Sequence, residues 1–164
     1  MRLLIDGDAC PDKLAIKALA IKYQIEMIVY IDYAHVLEDD YYQVVECEIA
    51  RDSVDMRIVS DVQPGDLVIT QDYGLAGLLL GKRAIVLHMS GMLINDQNID
   101  LLLSTRYISA KERKSGKHVR GPAKRTSQIR EKFLNNLEEI LKKAVQQGNE
   151  QLFLSQNNIF TLTL

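Results

Sequence analysis

Two short apolar runs constrain this chain more than anything else in it. Leu3-Leu4-Ile5 and Leu67-Val68-Ile69-Thr70 are four residues or fewer, rich in branched side chains, and each ends at an aspartate: Asp6 directly, and Asp72 two residues on. Runs of that length bounded by polar turns read as buried strands. Helical spacing follows both. Pro11 suits the first turn of a helix, and Leu14, Ala15, Ala18, Leu19 and Ile21 are expected to form its apolar face. Met27–Ile31 is a further strand, so strand, helix and strand follow within about 30 residues, the length of a βαβ unit.

The same alternation continues. Val44–Cys47 is a short strand. Asp52–Val62 is a helix with Val54, Ile58 and Val62 on one face, and Gln63-Pro64-Gly65-Asp66 breaks it. Leu75–Lys82 is helical, Ala84–Leu87 a strand, and Gly91–Asn95 a turn or small hairpin. Ile99–Lys114 is helical. Ser127–Val145 carries Ile129, Phe133, Leu137, Ile140, Leu141 and Ala144 on one face. Alternating strands and helices predict a three-layer α/β/α fold with a mostly parallel central sheet. Residues 1–145 read as a single domain. Residues 146–164 read as a C-terminal tail, with Leu152-Phe153-Leu154 and Ile159-Phe160 able to pack as a final strand or to mediate self-association, hence a possible homo-oligomer.

In an open α/β sheet, ligands bind beyond the carboxyl ends of the strands. Asp6 and Asp8 follow one strand and Asp72 another, so all three are expected at one edge. Asp52 and Asp55 lie in the first turns of a helix that can point the same way. Asp66 starts its strand and belongs at the opposite edge. Carboxylates crowded together repel, and a cation relieves them. Mg²⁺ or Mn²⁺ is the expected divalent ion, because both prefer oxygen ligands. The chemistry this supports is activation of a bound water and stabilisation of the leaving oxygen in phosphodiester hydrolysis. The competing reading makes each aspartate a turn or helix-cap residue. Cys10, near a helix start, is a possible accessory group whose thiol could be activated there, against simple packing.

Charge is unevenly placed. Residues 1–100 carry 17 Asp/Glu against 8 Lys/Arg, and residues 101–164 carry 12 Lys/Arg against 5 Asp/Glu. Ten of those bases fall between Arg106 and Lys132, opposed only by Glu112 and Glu131. Such a stretch can neutralise several phosphates. Arg106, Lys117, Arg120, Lys124 and Arg125 are the candidate phosphate- or nucleic-acid-binding residues, and Tyr107 is the nearest base-stacking side chain. The equally plain alternative is a solvated basic helix and loop.

Two cysteines with no CxxC or HxxxH spacing exclude a disulfide scaffold and leave a zinc site without support. No apolar run approaches the roughly 20 residues of a membrane span, and no signal peptide opens the chain, so a cytoplasmic protein with no membrane partner is expected.

Asp6-Gly7-Asp8-Ala9-Cys10-Pro11, then Asp52-Ser53-Val54-Asp55, then Gln63-Pro64-Gly65-Asp66-Leu67-Val68-Ile69-Thr70-Gln71-Asp72, in this order, resemble the bacterial YaiI/YqxD family, grouped with PIN-domain-like proteins. The similarity runs from about residue 2 to about residue 141. The resemblance implies a PIN-like fold with acidic positions at Asp6, Asp8, Asp55 and Asp72, matched also at Asp52 and Cys10. It departs at Arg120-Gly121-Pro122 and Ser90-Gly91, where the family commonly has Gly-Gly-Pro and Arg-Gly. By analogy it implies a divalent-metal-dependent nuclease, acting on RNA rather than DNA, with Asp6, Asp8, Asp55 and Asp72 as catalytic and metal-binding residues. The alternatives are a non-catalytic nucleic-acid-binding module, and a small-molecule phosphatase using the same acidic edge.

Overall fold

The structure, a computed structural model, describes residues 1–8, 10–32, 37–48, 52–115 and 125–160, with side chains to residue 148. The basic candidates Lys117, Arg120 and Lys124 lie outside the described residues.

The apolar runs form the strands expected of them. They are β1 (Leu3–Asp6), β2 (Met27–Asp32), β3 (Gln43–Cys47), β4 (Leu67–Thr70), β5 (Ile85–His88) and β6 (Leu93–Ile94). They make one sheet in the order β3-β2-β1-β4-β5-β6. The first five are parallel, and β6 returns antiparallel on β5 as a small hairpin. Successive side chains of a strand face opposite ways, and both faces are covered. Leu3, Ile5, Met27, Val29, Leu67 and Ile69 pack under α1 (Lys13–Tyr23) and α5 (Ser127–Phe160). Leu4, Ile28, Val68 and Val86 pack under α2 (Ser53–Asp61) and α3 (Tyr73–Gly81). The remaining helix, α4 (Ile99–Lys114), packs on α3 and buries only Ile99. The result is a three-layer α/β/α fold with a mostly parallel sheet, as the alternation predicts.

Two expectations are corrected. The apolar face of α1 is Ile16 and Ala20, while Leu14 is 81% exposed and Ile21 half exposed. The apolar residues of α1 are spread around the helix, so Ile16 and Ala20 are buried and Leu19 packs beside them while Leu14 and Ile21 look outward. The C-terminal segment continues α5 as one helix to Phe160 instead of forming a strand. Phe133, Leu137 and Leu141 dock it with no exposed surface, each contributing about 1.5–3 kcal/mol of apolar burial.

The first half of the chain builds the sheet outward from β1 to β3, and the second half builds from β4 to β6 on the other side. The switch of direction lies between β1 and β4. Their carboxyl ends carry Asp6 and the Thr70-Gln71-Asp72 turn. At the opposite edge Asp66 accepts from Arg2 N, Nε and Nη2 and from Gln63 N. Burial alone would raise its carboxyl, but these donors outweigh it and hold it below the usual range. Asp66 is structural, as its place before β4 predicts.

Candidate metal and phosphate site

Gly7 shapes the site first. Its N–H donates to Tyr30 O at 2.8 Å, and a Cβ built on it would lie 2.6 Å from Val29 Cγ1 and 2.7 Å from Tyr30 O. Only glycine lets the chain leave β1 this close to β2. Asp6 and Asp8 on either side are thereby held against the carboxyl ends of both strands. Asp8 Oδ2 accepts the N–H of Asp32, the last residue of β2, at 3.3 Å.

Five aspartates line one cleft of about 230 Å³: Asp6, Asp8 and Asp32 from the sheet edge, with Asp52 and Asp55 from the start of α2. Asp52 is the residue before the helix, in a left-handed conformation at φ 60°. Asp55 is in its first turn, where a carboxylate is favoured by the helix N-terminus. Burial, then Asp72, Asp6 and Asp52, nevertheless push the Asp55 carboxyl up to about 6. Burial also raises Asp6, countered by Thr70 and reinforced by Asp8 and Asp72.

Asp72 joins this group through Thr70. The fully buried Thr70 hydroxyl donates to Asp6 Oδ2 at 3.0 Å and accepts the Asp72 N–H at 3.0 Å. The Asp72 carboxylate caps α3, accepting from Gly74 N at 2.6 Å and Leu75 N at 3.1 Å. It also meets Arg106 of α4, whose Nη1 lies 2.9 Å from Oδ1 and 3.0 Å from Oδ2. Burial would raise Asp72, but Arg106 and the capping N–H groups hold it below the ordinary range. The acidic and basic halves of the sequence therefore touch, at Arg106.

Other candidates are placed elsewhere. Arg125 is ion-paired with the buried Asp12, which Arg130 Nε also contacts at 2.8 Å, and its guanidinium stands 5.5 Å from the Phe133 ring. It ties α5 to the start of α1. Burial pushes the Cys10 thiol up to about 11, so it is protonated at neutral pH and packs in the core. Two groups at this edge were not among the sequence candidates. Asp32 obeys the same signal as Asp6, an aspartate ending an apolar run. His88 ends β5 beside Thr70. Its Nδ1 accepts the Ser90 N–H at 3.1 Å, its ring centroid is 5.4 Å from that of Tyr73, and burial lowers its pKa, which keeps it neutral. Ser90-Gly91 docks on α5, with Asn136 Nδ2 donating to Gly91 O.

The side-chain donors around the cleft are five carboxylates and the Ser53 hydroxyl, all hard oxygens, and Asp6 and Asp55 carry raised pKa values. That set fits a hard divalent cation and no soft metal. Among the described residues no three His, Cys, Asp or Glu side chains are drawn tightly enough to enclose an ion as they stand. They ring an open cleft.

The family described as "Uncharacterized BCR, YaiI/YqxD family" matches residues 4–143. The chain belongs to the YaiI/YqxD family. The match takes in all six strands but for the first residue of β1, and the docked part of α5, and it ends before the last turns of that helix. Similar proteins include a UPF0178 protein of Clostridium kluyveri, 43% identical over 141 residues, which are 86% of this chain and 93% of that one. A UPF0178 protein of Clostridium novyi is 38% identical over 149 residues, 91% of this chain and 100% of its own length. One from Ruminiclostridium cellulolyticum is 44% identical over 133 residues, 81% of this chain and 87% of that one. Among solved structures, a mutant form of Rae1 (YacP) from Bacillus subtilis aligns over 90% of this chain and 99% of that one, at 18% identity and a TM-score of 0.41. That likeness is too loose to bear on what a YaiI/YqxD protein does. No helix among the described residues is long and apolar enough to cross a membrane.

Proposed function

We propose that this protein is a divalent-metal-dependent nuclease, acting on RNA in preference to DNA. One observation carries the reading. Five aspartates line a single cleft at the carboxyl edge of a parallel sheet, and their crowding, with burial, raises two of the carboxyls. Carboxylates held so close lose stability unless positive charge joins them.

Asp6, Asp8 and Asp55 would hold Mg²⁺ or Mn²⁺, with Asp32 and Asp52 adding negative charge around it. A hard divalent ion supplies Lewis-acid activation of water and charge stabilisation for phosphodiester hydrolysis. Thr70 holds the Asp6 carboxylate in one orientation. Arg106, half exposed on α4, is the group a substrate phosphate would draw from Asp72. Asp72 would then be released to the acidic set. Arg113 and Lys114, exposed at the end of α4, would follow the backbone of the polymer.

The test uses the full chain with end-labelled single-stranded RNA and DNA of one sequence, in Mg²⁺, Mn²⁺ or EDTA. Metal-dependent cleavage of RNA is expected, abolished by Asp6→Asn with the circular dichroism spectrum unchanged. No cleavage of either polymer in either metal, or cleavage undiminished in Asp6→Asn, overturns the reading. Turnover of nucleoside phosphates alone would make the site that of a phosphatase.

A further inference from the structure

Helix α4 packs by one flank and leaves another bare. Ile99 is buried and Arg106 turns to Asp72. Leu101, Tyr107 and Ile108 are 71%, 69% and 56% exposed. Leu103, Ser104, Tyr107 and Ile108 line a shallow apolar groove, with Leu103 leaning on Gly77 of α3. Isolated exposed apolar residues need no explanation, but a continuous stripe on one helix marks a contact surface.

Its composition indicates what fits it. At about 100° per residue, Asp100, Leu103, Ser104, Tyr107, Ile108 and Lys111 fall within an arc of roughly 140° on α4. Arg106 lies roughly 130° from the centre of that arc. The stripe is complementary to its own reverse. Asp100 and Lys111 stand equally far from the midpoint, as do Leu103 and Ile108, and Ser104 and Tyr107. An antiparallel copy related by a two-fold axis sets Asp100 against Lys111, Leu103 against Ile108, and the small Ser104 under the Tyr107 ring. It does so twice, as two-fold symmetry requires. The helix macrodipoles also run opposed.

We propose that this stripe is a homodimer interface: two copies of this chain pair α4 against α4 in antiparallel fashion, sealed at both ends by Asp100–Lys111 pairs. The contact leaves Arg106 and the aspartate cleft outside it, so the inference stands independently of the nuclease reading. One helix pair is a small interface, so the dimer belongs to the micromolar range, on the order of 10 μM.

Sedimentation velocity on the full chain from about 1 to 200 μM spans that range. A mass that rises from monomer to dimer is expected. Tyr107→Asp should leave monomer throughout, with an unchanged circular dichroism spectrum. Asp100→Lys and Lys111→Asp should each weaken the dimer about tenfold, because each breaks both symmetry-related pairs. The double exchange Asp100→Lys/Lys111→Asp should restore it. A monomer at every concentration overturns the proposal. So does a dimer that survives Tyr107→Asp; its loss when the chain is cut after residue 148 would assign the contact to the end of α5.

Discussion

Arg106 on α4 meets Asp72 at the start of α3 with one Nη1 within 3.0 Å of both carboxylate oxygens. The pair is half exposed, so its worth to the fold is small, under about 1 kcal/mol. The proposed function gives it a further role, because Arg106 pairs with Asp72 and Asp55 also feels its charge. Arg106→Gln is expected to shift the urea midpoint little while weakening RNA binding at least several-fold, read by fluorescence anisotropy at fixed salt. An affinity equal to that of the unaltered protein would remove Arg106 from the phosphate path.

Thr70 connects the two strand ends and has no exposed surface. Thr70→Val keeps the shape and removes the hydroxyl, leaving Asp6 Oδ2 without its donor and the Asp72 N–H without its acceptor. A buried polar group stranded in this way costs about 1–3 kcal/mol. Chemical denaturation should show that loss. Thr70→Ser should recover most of it, and recovery failing in Ser while the fold is intact would mean the methyl group, not the hydroxyl, matters.

Much of this was readable beforehand, for a local reason. A strand end followed by aspartate needs only the alternation of apolar runs and turns, so Asp6, Asp8 and Asp72 could be placed at one edge, and Asp66 at the other. Asp32 satisfies the same rule, but the polar residues after it draw it into an apparent loop. The face of α1 was misplaced because its apolar residues are spread around the helix, and only contact with α5 selects Ile16 and Ala20. The Arg106–Asp72 pair spans 34 residues and depends on how α4 crosses α3, which no local pattern encodes. Arg125 reads as a phosphate-binding base in a basic run, yet Asp12, more than a hundred residues earlier, takes it inward.

Gly7 is the position where the smallest substitution should do the most harm. An added methyl meets Val29 Cγ1, Tyr30 O and Ile31 Cγ2 all within 2.8 Å, and one of the three is backbone. Gly7→Ala is expected to cost about 1–3 kcal/mol through forced displacement of β1 from β2. It should also abolish any activity of the cleft, since Asp6 and Asp8 flank it. Thermal melts of the purified variant check the first, and the RNA assay the second. A variant as stable as the parent would show that the β1 end is less tightly held than the distances require.

Asp55 offers the sharpest test of the crowded cleft, because the sign of its effect is opposite to that of an ordinary surface carboxylate. Its folded-state value, about 6, stands above the 3.8 of the free side chain. The folded protein therefore binds this proton more tightly than the unfolded chain does. That contribution is fully present below about pH 3.8 and is lost as pH rises through 6. At pH 8 Asp55 is a charge the fold holds at a cost of about 1 kcal/mol, after allowing for its partial exposure to solvent. Asp55→Asn removes that charge at nearly constant size. In EDTA at pH 8 the variant should be more stable than the parent by about that amount, and the gain should vanish near pH 4. Adding Mg²⁺ should stabilise the parent more than the variant, because only the parent has the full charge to neutralise. Urea denaturation across pH, with and without Mg²⁺, measures all three. A loss of stability at pH 8 would mean that the carboxylate is stabilised by its surroundings, and the case for a cation in this cleft would fall with it.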